Sequence, residues 1–174
     1  MNTNKMKLAL GLFVFSCFIT PVSSEAYFST AQTATKINEH TTLFTVTYKF
    51  GFLNRELYMP ILAERNLGTT SSRFSVGYTL LDAEEEIVNA GSATSLVLTS
   101  DEDAVIKDTR YYLPQGKSAE FTLVTLVTTA TEVTTDASLL VSHLPFIMVK
   151  EGEEIPARLN PSEMQYYRTP TVEL

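Results

Sequence analysis

The sequence predicts an all-β fold, an antiparallel β-sandwich of immunoglobulin-like type with about eight or nine strands, preceded by an N-terminal signal peptide. Three observations lead there. Apolar and polar residues alternate with period two, as in Phe44, Val46, Tyr48 and Phe50 against Thr45, Thr47 and Lys49. Turn-forming residues recur at short, regular intervals. No window keeps helical spacing for more than about two turns.

The first alternating run covers residues 44–52 and breaks at Asn54-Arg55. Leu57, Met59, Ile61 and Ala63 alternate next, and Pro60, which lacks an N–H, assigns that strand to a sheet edge or a bulge. Residues 65–73, with Gly68 and four consecutive Thr/Ser residues, read as a loop. Phe74, Val76, Tyr78 and Leu80 restore the pattern, and the acidic turn at 82–86 returns the chain at Ile87 as a β-hairpin, interrupted at Ala90-Gly91-Ser92. A short strand over 93–99 and a second acidic turn over 100–103 follow. The strand over 104–113 ends in Leu113-Pro114-Gln115-Gly116, where proline presets φ for the first corner of a turn. Residues 118–129 are apolar or threonine on both faces, so they belong in the middle of a sheet. A strand over 138–149, a polar connection over 152–161 and a closing strand over 165–172 complete the series.

Residues 1–26 read as the export signal. Lys5 and Lys7 form a basic head, 8–19 an apolar stretch, Pro21 a helix breaker and Ser24-Glu25-Ala26 a small-x-small cleavage site, with a cut after Ser24 as the close alternative. The apolar stretch of roughly 12 residues falls short of the ~20 that span a bilayer. Val14-Phe15-Ser16-Cys17 resembles a lipobox, in which Cys17 would be acylated. Phe15 is too bulky for that motif, and Phe18-Ile19 continue the apolar run where a lipoprotein turns polar. Cleavage leaves a single domain, residues 27–174, long enough to bury a core and without cysteine for a disulfide. The expected location is exported: periplasmic, cell-surface or secreted, with no transmembrane span in the mature form. The mature chain keeps 11 basic and 19 acidic residues, a charge of −8. No nucleic acid is expected as a partner, because phosphate binding needs a basic face and the bases here are scattered singly.

At Tyr111-Tyr112-Leu113-Pro114-Gln115-Gly116-Lys117-Ser118-Ala119-Glu120-Phe121-Thr122-Leu123 the chain resembles bacterial extracytoplasmic immunoglobulin-like modules. Leu144-Pro145-Phe146 and Leu159-Asn160-Pro161-Ser162 are similar to segments of uncharacterised exported immunoglobulin-like β-sandwich proteins of candidate-phylum bacteria. The resemblance implies an architecture and a surface location, and supplies no catalytic residue to carry over.

The residues themselves assign no catalytic, cofactor or metal site. His40 and His143 lack metal-ligand spacing, and no Gly-x-Ser-x-Gly elbow holds a nucleophile. Asp101, Glu102, Asp103 and Asp108 gather oxygen donors of the kind Ca²⁺ takes, as do Asp82, Glu84, Glu85 and Glu86, without the alternating spacing that wraps a loop around an ion. Turn tips rarely fix the carboxylate separation that glycoside hydrolysis needs. Thr45 and Thr47 could line an ice- or sugar-facing surface, but β-propensity accounts for them. Tyr111-Tyr112 and Tyr166-Tyr167 each send one ring to either face of a strand, leaving one outward for a sugar or a protein. The expected function is that of a non-enzymatic structural or protein-interaction module of the cell envelope. It would pair with an envelope protein or with itself through a sheet edge, the C-terminal strand or the strand at Pro60. Carbohydrate or peptidoglycan binding is the alternative, and an envelope hydrolase a more distant one.

Overall fold

A computed structural model describes residues 27–51, 54–68, 74–129, 135–159 and 166–174; the expected export signal and Cys17 lie outside these. The described residues form thirteen strands and no helix. One sheet is four-stranded and antiparallel, in the order β1 (Tyr27–Asn38), β2 (Thr41–Gly51), β9 (Ser118–Thr128), β6 (Ser92–Leu98). A second has the order β13 (Val172–Glu173), β10 (Asp136–His143), β5 (Val76–Leu81), β4 (Ala63–Arg65). A third runs β12 (Glu153–Arg158), β11 (Pro145–Lys150), β3 (Glu56–Pro60), β8 (Arg110–Leu113), β7 (Val105–Lys107).

The alternation read from the sequence selects the inward faces. Phe44, Val46, Tyr48 and Phe50 of β2 and Ala119, Phe121, Leu123 and Val127 of β9 are buried, while the residues between them face outward, Thr125 excepted as the buried polar member of β9's inner row. They meet the inward side chains of the other two sheets across a sandwich-like core. Phe50 lies 5.3 Å from Phe146 of β11, and Tyr48 lies 6.2 Å from Tyr167. As expected, β9 is central, paired along its length with β2 and β6.

The second and third sheets share two backbones. β3 continues into β4 and β10 into β11, so together they make one layer that divides where β5 is inserted between β10 and β4. The register of β3 with β11 pairs Tyr58 with Ile147, and two residues further it would set Pro60 opposite Pro145, where the pairing has stopped. A proline leaves no N–H to be orphaned, so a pair of them ends a ladder inside a sheet without an unsatisfied donor. Beyond the fork the carbonyl of Ile61 accepts from Val97 N at 2.8 Å and that of Leu62 from Val76 N at 2.9 Å. The chain thereby crosses to the edge of β6, with Leu62 opposite Leu96.

Several expectations are corrected. β3 is not an edge strand, since β8 and β11 flank it. The strand over 104–113 is a hairpin, β7–β8, turned at Asp108 and Thr109 with φ of 48° and 63°. The polar connection after Gly152 is strand β12, folded back on β11 through Glu151 and Gly152. The hairpin after β5 shrinks to a bridge between Leu81 and Ile87 and a bond from Val88 N to Leu80 O. There the Arg65 guanidinium donates to the carbonyls of Val88, Ala90 and Gly91, which a returning strand would otherwise have used. The closing strand is an irregular edge. Thr169 N bonds to Leu139 O, and among the described residues 166–174 only Val172–Glu173 pair as a strand; Gln165, where the expected strand begins, lies outside the described residues.

Tyr48 is fully buried, and its hydroxyl has no hydrogen-bond partner among the described residues. Burial first, then the neighbouring Tyr167 and Tyr111, pushes that hydroxyl far above the usual phenol range. Tyr48→Phe is therefore expected to stabilise the fold by about 1–2 kcal/mol, because it removes an unsatisfied buried group and keeps the ring. Burial also raises Tyr78 and Tyr111. A group whose pKa is raised on folding contributes stability that is complete below its unfolded value, here 10.0, and lost as pH rises above it. Thermal melts from neutral pH to about pH 11 should show that loss, with a shallower slope in Tyr48→Phe.

Candidate functional site: the outer face of the four-stranded sheet

The four tyrosines singled out from the sequence divide one inward and one outward in each pair, Tyr111-Tyr112 by the period of β8 and Tyr166-Tyr167 outside any strand. Tyr111 is buried, donates its hydroxyl to Val97 O at 3.1 Å and lies 5.5 Å from the Phe121 ring. Tyr167 is buried beside Tyr48. The two inward rings thus converge on Tyr48 in the core. Tyr166 is 68% exposed, and its carbonyl accepts from Gln32 Nε2 at 3.2 Å. Tyr112 lies on the outer side of the layer that divides, 5.2 Å from Tyr58. The Lys107 ammonium sits 3.4 Å over the Tyr112 ring and the Arg110 guanidinium 4.9 Å over that of Tyr58. A sugar needs an open ring face, and cations already occupy these two. A hydrogen bond with Glu56, ahead of burial and the Glu56 charge, raises the Tyr112 hydroxyl.

Each acidic loop engages two of its carboxylates internally. Asp82 Oδ1 accepts from the backbone N–H of Glu84 at 3.0 Å and of Glu86 at 2.8 Å, and Glu85 pairs with Arg168. Asp101 accepts from the N–H of Glu120, and Asp103 lies 3.0 Å from Lys117 Nζ. Among the described residues no three His, Cys, Asp or Glu side chains come together to hold a metal ion. His40 sits exposed in the β1–β2 turn, its N–H bonded to Asn38 Oδ1. His143, at the end of β10, borders a shallow groove of about 410 Å³ with Phe74, Pro145, Ile147, Pro156 and Arg158. Burial, and then the Arg158 charge, lowers its pKa.

The arrangement that sequence reasoning missed is the outer face of the four-stranded sheet. The registers build it as rows across the strands: Thr35, Leu43, Leu126 and Thr94, then Thr33, Thr45, Val124 and Leu96, then Ala31, Thr47, Thr122 and Leu98. Leu62 extends the middle row past β6. Leu62 is 58% exposed, Leu98 44%, and Leu96 and Leu126 40% each. Thr33 and Thr45 share a hydroxyl hydrogen bond of 2.7 Å, and Thr47 and Thr122 one of 3.0 Å, so threonines satisfy each other across the sheet instead of binding water alone. No charged residue interrupts these rows; the next row carries Lys49 opposite Glu120. The signal lay in Thr94, Leu96 and Leu98 alternating with Ala93 and Val97, but only the register shows that they meet Leu126 and Val124.

No protein-family model matches the chain, and no curated protein matches it. Among solved structures it is similar to the crystal structure of the yeast GGA1 GAE domain, with 8% identity and a TM-score of 0.29 over 82% of this chain and 87% of that one. A likeness so remote bears on neither fold type nor function.

Proposed function

We propose that the chain is exported, loses residues 1–26, and works as a non-enzymatic protein-contact module of the cell envelope, docking through the outer face of the four-stranded sheet. The observation that carries this reading is the uncharged set of rows with Leu62, Leu96, Leu98 and Leu126 exposed together, in a chain of net charge −7. Contiguous apolar surface bordered by polar groups marks interaction sites on extracellular and other soluble domains. The face displaces the sheet edges at β12, β7 and β6 as the first choice. β12 carries Glu153, Glu154 and Pro156, β7 is three residues long, and Leu62 covers part of β6, all devices that discourage strand pairing.

The finer architecture belongs to the same proposal. The order β1-β2-β9-β6 corresponds to strands A, B, E and D of an immunoglobulin-like sandwich, and β3, β11 and β12 to C, F and G. The β5 insertion and the β7–β8 hairpin are additions to that scheme.

Leu96→Glu with Leu126→Glu places two charges on the face. Folding should be little affected, since both side chains point outward. Association with the envelope, read as cross-linked or co-sedimented protein, is expected to fall roughly tenfold. A folded double variant that associates like the wild type would sink the reading. Glycan binding lost in Tyr112→Ala and kept in the double variant would replace it with carbohydrate recognition.

A further inference from the structure

We infer that the occupant of this face is a second copy of the chain, packed sheet against sheet about a two-fold axis that runs parallel to β2 and β9 and between them. The inference rests on the contact reading above and adds the identity of the partner. An axis so placed lays β2 of one copy over β9 of the other and β1 over β6.

Side-chain size favours this arrangement. β1 presents Ala31 and Thr33, whereas β6 presents Leu98 and Leu96 at the matching positions. Superposing the small half of the face on the large half lets the two surfaces interdigitate at the spacing of about 10 Å that packed sheets adopt.

Charge favours it as well. Lys49 and Glu120 face each other within one sheet. The same two-fold brings Lys49 over Glu120 of the second copy and Glu120 over its Lys49. The rest of each copy is acidic overall and repels its twin, so a neutral face closed by two symmetric opposite-charge contacts is where self-association costs least. The four strands, about 4.8 Å apart, and about six residue rises of ~3.4 Å give on the order of 400 Å² of overlapping plane per copy, with the Leu62 segment outside the overlap. The pair then buries on the order of 800 Å², short of the ~1,000 Å² of a stable specific interface, which points to a weak, reversible, concentration-dependent dimer.

The test is sedimentation equilibrium of the mature chain at low ionic strength, with K49E and E120K measured singly and as an equimolar mixture, and with folding checked by thermal melts. Wild type should pass from one to two copies as concentration rises. Each single variant places like charges across both symmetric contacts and should dimerise roughly tenfold more weakly. The mixture should recover wild-type association, because the two acidic side chains of the K49E copy then meet the two basic side chains of the E120K copy. Within each single variant positions 49 and 120 still carry like charges, so an intramolecular effect would not be repaired by mixing. A wild type that stays monomeric to about millimolar concentration, single variants that dimerise normally, or a mixture that does not recover would each overturn the dimer. If the wild type is monomeric while Leu96→Glu with Leu126→Glu still abolishes envelope association, the face docks a different protein and only the dimer falls. If the wild type is monomeric and the double variant associates normally, both readings fall.

Discussion

Phe121→Ala is expected to lower stability by about 3–5 kcal/mol, a large share of the ~5–15 kcal/mol that holds a domain folded. Phe121 is fully buried on the inner face of β9, and its ring joins the two layers. It stacks on Tyr48 at 6.1 Å, meets Phe50 edge-on at 6.4 Å and Tyr111 at 5.5 Å. Both Tyr48 and Phe50 belong to β2, and Tyr111 comes from β8 across the core. Truncation removes transfer energy and leaves a cavity that two rigid sheets cannot close. Urea unfolding would show the loss as a lower midpoint at unchanged slope. A cost below about 1 kcal/mol would mean that the layers do not pack through this ring.

Gly91→Ala should follow, at roughly 2–4 kcal/mol, for a different reason. Gly91 has φ of +75°, and an added Cβ would stand 2.6 Å from Thr128 O and 3.1 Å from Thr128 C. Both are backbone atoms at the end of β9, so no rotamer change relieves them. Hydrogen bonds of 3.2 Å from Arg65 Nη1 to the carbonyls of Ala90 and Gly91 tie the turn to β4 as well. Gly116 supplies the control. Its φ is +76°, and an added Cβ would meet nothing within 4 Å, so Gly116→Ala should cost only the left-handed penalty of about 1 kcal/mol. Equal costs at the two sites would remove the steric argument.

Much of this fold is legible in the sequence because burial on one face leaves a period of two. β2 and β9 carry that period without interruption, and the apolar and threonine content of β9 marks it as central. β1 is invisible for the converse reason. Its residues 31–38 are exposed or half-buried, and Thr, Ala, Gln and Lys alternate without an apolar row. β12 is hidden by Glu153, Glu154 and Pro156, which suit an edge strand and also suit a loop. The β7–β8 turn lacks the glycine that usually announces a two-residue hairpin, since Thr109 takes the second positive φ. Pro60 is legible as a disturbance in a sheet, yet its meaning depends on Pro145, far along the chain, which register alone brings opposite. The candidate face escapes sequence reading for the same reason. Leu62, Leu96 and Leu126 are isolated outward residues in sequence, and strand order makes them neighbours.

The facing prolines divide the second layer mechanically. Between Pro60 and Pro145 no rung couples the β10–β5–β4 half to the β12–β11–β3–β8–β7 half, so the halves are joined there by two covalent backbones and by packing. A tear that begins by stripping β5 from β10 runs out of hydrogen bonds at the fork before it reaches the pair Tyr58–Ile147. Load applied to one half is therefore passed to the other through chain tension and the core, and local breathing on one side leaves the ladder on the other intact.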